Sequence, residues 1–265
     1  MSTIAWSCTA SHSTATAKDQ ARLTPRAALR IAGLLLLFAV LAPIHIATKL
    51  FFRRSLWPRR FLAAAAWIIG ARVRTEGTAP RPGTLLVPNH TTWLDILVLG
   101  GATGCAFVSK DQLGHSLVHW LADQNRTIYV NRSARRQVGE QTAAIASALE
   151  SGEVVAFFPE GTVGPGHRLL PFRSPLFEAA AQAADVLPAV IDYGSLATEI
   201  SWFEQDGKAN ILRVLGRPGT IPVTVRLLDR LPPGDRKQLA AAASAEIERA
   251  LGFKSPPQSP IGKGQ

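Results

Sequence analysis

The chain has 265 residues, 47% of them hydrophobic, and a formal net charge of +10. That is long enough for one sizeable core with appendages, and too apolar for a disordered chain. Its two cysteines, Cys8 and Cys105, show no CxxC or metal-ligand spacing, which excludes a disulfide framework or structural zinc site and fits reduced thiols.

Residues 1–25 are rich in Ser, Thr and Ala without an apolar period, and are expected to form a mobile tail. Between Asp19 and Glu76 the chain carries no acidic residue but ten Lys and Arg. Within that stretch "IAGLLLLFAVLAPIHIAT" (31–48) reaches the lower length limit for spanning a bilayer core of about 30 Å. A second apolar segment, 61–71, is too short to span, and Trp57, Trp67 and several arginines flank the two. Two short helices dipping into one leaflet as a hairpin, broken near Pro43, are the expectation, with a single spanning helix followed by an interfacial one as the alternative. Basic residues beside apolar runs suit anionic headgroups, whereas nucleic acid would call for interleaved stacking aromatics, so no nucleic-acid partner is expected.

From residue 80 the texture changes. Short apolar runs at 84–88, 105–109, 127–130, 154–158, 186–191 and 221–228 read as strands. Segments 111–125, 134–150 and 235–252 read as helices. The expectation is an α/β fold: a mostly parallel mixed sheet flanked by helices, preceded by a membrane-associated helical hairpin. The corresponding division is a tail (1–25), anchoring helices (26–75), a sheet domain (76–252) and a disordered tail (253–265).

Two stretches offer chemistry. In "VPNHTTWLDIL" (87–97), His90 and Asp95 are five residues apart, which on one helix leaves them roughly 140° from each other. They can meet only if His90 lies in a loop before a helix and Asp95 in that helix's first turn. A carboxylate on one imidazole nitrogen fixes the tautomer and leaves the other nitrogen to take a proton from a hydroxyl. In "FFPEGTVGPG" (157–166), a buried strand breaks at Pro159 into a polar turn, Glu160-Gly161-Thr162, where close backbone approach suits an anion or oxyanion. Each stretch alone is also what an ordinary strand end or turn would show.

Together and in this order, "NHTTWLD" and "FFPEGT" resemble the glycerolipid acyltransferase family, typified by 1-acylglycerol-3-phosphate O-acyltransferases. The block 107–133 looks like the family's middle segment, with Lys110 after a strand and Arg132 at its end; the stretch to Ile191 looks like its closing block. The resemblance implies that His90 is the general base, that Asp95 orients it, and that Glu160, Gly161 and Thr162 lie at the acceptor site. It implies an acyl-ACP or acyl-CoA thioester as donor, membrane lipids as partners, no metal or other cofactor, and work at the cytoplasmic face of the inner membrane.

The sequence departs from the family at Val163-Gly164, where phosphate-binding members carry Arg-Ser. Valine cannot replace arginine's planar fork. Arg132, His167, Arg168 and Arg173 are the candidate substitutes. The longer turn that follows looks closer to the branch acylating lyso-ornithine lipid, with a lysophosphatidate acceptor as the alternative. A catalytically idle lipid-binding module is the reading from another class. A hydrolase is disfavoured by the lack of a G-x-S-x-G elbow.

Overall fold

The structure, a computed structural model, describes residues 23–51, 56–110, 116–130, 138–232 and 234–253. Helices α1 (Pro25–Phe51) and α2 (Trp57–Ile69) lead into strand β1 (Ala71–Glu76). There follow β2 (Thr84–Pro88), α3 (Leu94–Thr103), β3 (Ala106–Lys110), α4 (Ser116–Gln124), β4 (Ile128–Val130), α5 (Val138–Glu150) and β5 (Val155–Ala156). A 3-10 helix (Pro175–Gln182) precedes β6 (Asp185–Asp192), α6 (Ala197–Ile200), α7 (Gly207–Gly216), β7 (Ile221–Leu227) and α8 (Arg236–Leu251).

The seven strands form one sheet in the order β1-β7-β6-β2-β5-β3-β4, parallel throughout except for the β6–β7 pair. Strands β2 and β6 are buried on both faces, which is why "TLLVP" and "VLPAVI" read as continuous apolar runs rather than alternating ones. Leu86, Leu187 and Ile191 pack into a core beneath α1, α2, α3 and α7, while Leu85, Val87 and Val186 pack into a second core beneath α5, the 3-10 helix and α8. From β2 the chain builds β3, β4 and β5 on one side and then returns to β6 on the other. Such a switch point, at the carboxyl ends of parallel strands, is where open α/β sheets bind ligands.

The anticipated α/β sheet is present, and several boundaries differ. Helix α1 is one uninterrupted 27-residue helix that passes through Pro43, where a break was expected. Its rise of 1.5 Å per residue makes it roughly 40 Å long, and by length and composition it could cross a bilayer. The second apolar segment ends at Ile69, because Gly70 adopts a left-handed conformation and caps α2. Ala71 then opens a strand, so the sheet begins within the stretch expected to be helical. The strand expected at 154–158 pairs only over Val155–Ala156. Residues 111–115 and 134–137 of the helices expected at 111–125 and 134–150 lie outside the described residues, as do 1–22 and 254–265 of the two tails.

Helix α1 is fastened along its length. Near its start, the Arg30 guanidinium donates to the carbonyls of Leu215 (2.9 Å), Arg217 (3.1 Å) and Gly219 (3.2 Å), satisfying acceptors left over at the end of α7. Near its end, His45 Nε2 lies 3.0 Å from Gln124 Oε1, and Lys49 donates to the same oxygen. Phe38 meets Trp120 edge to face. Leu35, Leu36, Val40, Ile46, Leu50 and Phe51 are exposed on the same helix. Helices α2 and α3 cross so closely that a Cβ on Gly101 would lie 2.8 Å from the Ala63 backbone.

Candidate active site

At the end of β2 the ladder to β6 stops, and an amide side chain continues it. Asn89 Nδ2 donates to Ile191 O (3.1 Å) while its Oδ1 accepts Ile191 N–H (2.8 Å), copying a peptide group where the strands separate. The chain then leaves the sheet at His90 and enters α3 at Leu94, with Asp95 in the first turn. His90 Nδ1 lies 2.8 Å from Asp95 Oδ2. The loop-and-first-turn arrangement inferred from the five-residue spacing is the one found.

Asp95 is fully buried and fully engaged. Its Oδ2 also accepts the backbone N–H groups of Thr91 (2.7 Å) and Thr92 (2.9 Å), and its Oδ1 accepts the Tyr193 hydroxyl at 2.7 Å. Every one of these partners presents a donor to an acceptor-only carboxylate, so Nδ1 is the protonated ring nitrogen and Nε2 is left free as a base. The amino end of α3 adds its positive dipole end to the same carboxylate. Burial, followed by the Asp95 charge, raises the Tyr193 phenol well above its ordinary range, keeping it a neutral donor. The His90 ring stacks on Phe158, 3.9 Å between centroids, and its side chain is 15% exposed.

Glu160 joins this loop to the second motif. Its Oε1 accepts His90 N–H (2.7 Å) and its Oε2 accepts Leu170 N–H (2.9 Å). Gly164 N–H donates to His90 O at 2.6 Å, and a Cβ on Gly164 would stand 2.8 Å from Glu160 Oε2 and 3.2 Å from His90 O. A side chain at 164 would have to displace the Glu160 carboxylate, so glycine suits the close meeting of the two loops there. Ser201 Oγ donates to Gly164 O, and Trp202 N–H to Thr91 O, fastening both loops from the α6 side.

Burial pushes the Glu160 carboxyl up to about 7; the Leu170 and His90 N–H groups oppose this, and the Asp95 charge adds to it. Below about pH 4.5, the ordinary value, folded and unfolded chains both hold this proton. As pH rises from there to about 7 the unfolded chain ionises first, so this group's contribution to folding stability falls, and the loss is complete above the folded value. Urea unfolding between pH 5 and 8 should show this fall in the unmodified protein and not in Glu160→Gln, which has no proton to lose.

These groups line a cavity of about 260 Å³ with Asn89, Thr91, Arg168, Asp192 and Tyr193, closed on one side by Leu251 and Phe253 at the end of α8. Of the residues singled out in the sequence, the cavity brings together His90, Glu160 and Arg168, with Asp95 directly behind His90. Gly161 forms the turn beyond Glu160 in a left-handed conformation (φ 74°). Thr162 and Arg173 are exposed and do not line the cavity; Arg173 contributes only its backbone N–H, to Pro159 O (2.8 Å). Lys110 closes β3, and Arg132 lies outside the described residues. Sequence reasoning missed Tyr193 and Asn89, although "DYG" directly follows a strand that was anticipated. Cys105 is buried, which pushes its thiol up to about 12 and leaves it unsuited to nucleophilic attack.

The fold is shared with the crystal structure of the 1-acyl-sn-glycerophosphate (LPA) acyltransferase PlsC from Thermotoga maritima. The TM-score is 0.60 at 19% identity, covering 84% of this chain and 97% of that one. A lyso-ornithine lipid O-acyltransferase of Rhizobium meliloti is 37% identical over 164 residues, which are 60% of this chain and 56% of the relative. One of Rhodobacter capsulatus is 30% identical over 207 residues, 71% of this chain and 73% of the relative. The chain thus spans little more than half the length of the first relative and nearly three quarters of the second. The family model described as Acyltransferase matches residues 70–192, from the residue before β1 to the last residue of β6, a span that takes in both His90 and Asp95. Matched across the His90–Asp95 and Glu160 loops and over most of a relative's length, this chain belongs to the acyltransferase family.

Proposed function

We propose that the protein is a membrane-attached lysolipid O-acyltransferase that moves a fatty acyl group from acyl-ACP or acyl-CoA to the hydroxyl of a lysolipid. The observation carrying this reading is the His90–Asp95 pair, whose four-donor carboxylate leaves Nε2 as the unprotonated nitrogen. In the reaction, Nε2 takes the proton as the acceptor oxygen attacks the thioester carbonyl. The tetrahedral intermediate then expels the thiolate, which recovers that proton from His90. A thioester is already activated, so the proposal includes neither a metal nor an acyl-enzyme.

Lyso-ornithine lipid is the acceptor we favour. Both relatives described above carry that name, and Val163 stands where a phosphate-binding arginine would be expected. The exposed apolar side chains of α1 and the basic residues around α2 support attachment to the membrane, which we assign to the cytoplasmic face of the inner membrane.

Purified protein incubated with an acyl thioester, with and without lyso-ornithine lipid, tests the reading. Acylated lipid formed only when the acceptor is present is the expected result. Free fatty acid released regardless of acceptor would make it a hydrolase, and no turnover at all would make it an idle lipid-binding module. Offering lysophosphatidate in competition separates the acceptors, and its dominance would replace lyso-ornithine lipid while leaving the acyl transfer in place.

A further inference from the structure

We infer that Asp192 and Arg168 form a subsite for a zwitterionic headgroup, Asp192 holding the ammonium and Arg168 the carboxylate. The inference rests on the acyltransferase reading above and goes further by assigning the groups that would recognise the acceptor.

Both side chains line the cavity that contains His90. Asp192 ends β6, and the next residue, Tyr193, donates to Asp95, so the anion stands one residue from the dyad's support. It is held in place: Arg226 Nη2 donates to Oδ2 (2.6 Å) and Gly194 N–H to Oδ1 (2.8 Å). A carboxylate offers about four acceptor positions, so two remain.

The opposite end of the same strand shows what a purely structural aspartate looks like here. Asp185 accepts from Arg81, Arg230 and Thr84, and its side chain is only 5% exposed. Asp192 has fewer partners and is 33% exposed. Arg168 is exposed and forms no ion pair among the described residues.

One held anion and one free cation in a single small cavity suit a ligand with both signs. When the α-amino group of ornithine is acylated, a carboxylate and a terminal ammonium remain free. A phosphate monoester, with nearly two negative charges, would meet Asp192 as a like charge. At about 260 Å³ the cavity is below the usual 300–1,000 Å³ of small-molecule pockets, a size for a headgroup rather than a fatty chain.

The test compares lyso-ornithine lipid with the same lipid acetylated on its terminal amine, each with one acyl thioester. With the unmodified protein, acetylation should raise KM about 10- to 100-fold, the range for losing a hydrogen bond between charged groups, with little change in kcat. Asp192→Asn should remove the discrimination, using both lipids equally poorly, and Arg168→Gln should raise KM for both. Equal use of the two lipids by the unmodified protein would overturn the subsite while leaving the acceptor reading intact. Failure to acylate either lipid would overturn the acceptor reading and the subsite with it. The comparison on the unmodified protein decides the matter even if Asp192→Asn fails to fold.

Discussion

His90→Ala should lower acyl transfer by about 10²–10⁴-fold, the range for losing a general base, while the melting temperature hardly moves. The two readouts separate because of where the ring sits. It lies at the cavity on Phe158, partly exposed, and fills no core position. Without it, Asp95 still accepts from Thr91, Thr92 and Tyr193, so no buried polar group is stranded. Steady-state rates with a thermal melt on the same preparation check both. Near-normal turnover would remove the proposed mechanism.

Asp95→Ala should behave differently, losing stability as well as rate. Removing the carboxylate strands the Tyr193 hydroxyl and the Thr91 and Thr92 N–H groups in a buried site. Each unsatisfied buried group costs about 1–3 kcal/mol, so the sum is at least about 3 kcal/mol. At about 2–4 °C per kcal/mol for a chain of this size, the melting point should fall by at least roughly 6–12 °C. Asp95→Asn should keep most of that stability, because its amide oxygen can accept from the two N–H groups and His90 while its NH₂ faces the phenol oxygen. Its rate should still fall, though less than for His90→Ala, because the ring stays oriented but loses the charge that stabilises its protonated form. If Asp95→Ala melts like the unmodified protein, the carboxylate is not the hub of this loop.

The dyad was legible because its geometry is local: a five-residue spacing admits one solution, and residues 90–95 take it. Strands buried on both faces were legible for a similar reason, since each is a short apolar run. Tyr193 was not, because it meets Asp95 across 98 residues of sequence and no periodicity links them. Strand β1 hid for a different reason. Only Ala71 of "ARVRTE" is fully buried, so the run shows no apolar period, and its arginines suit an exposed edge. Glu160 was expected to face the acceptor. It does line the cavity, but both its oxygens accept backbone N–H groups, and backbone donors leave no trace in residue identity.

The pairing of β1 with β7 bears on how the protein is made. Ala71 lies opposite Ile221, 150 residues later in the chain. At about 5–20 residues per second, the ribosome completes that interval in roughly 8–30 s. For most of it α1 and α2 are already synthesised, while α7, whose terminal carbonyls Arg30 will bind, is not. Loop closure over so long a separation is also slow. The nascent chain therefore carries its longest apolar helix without its α7 partner for far longer than a helix takes to form, and early capture of that helix by lipid or a chaperone would shield it from aggregation until the last ladder closes.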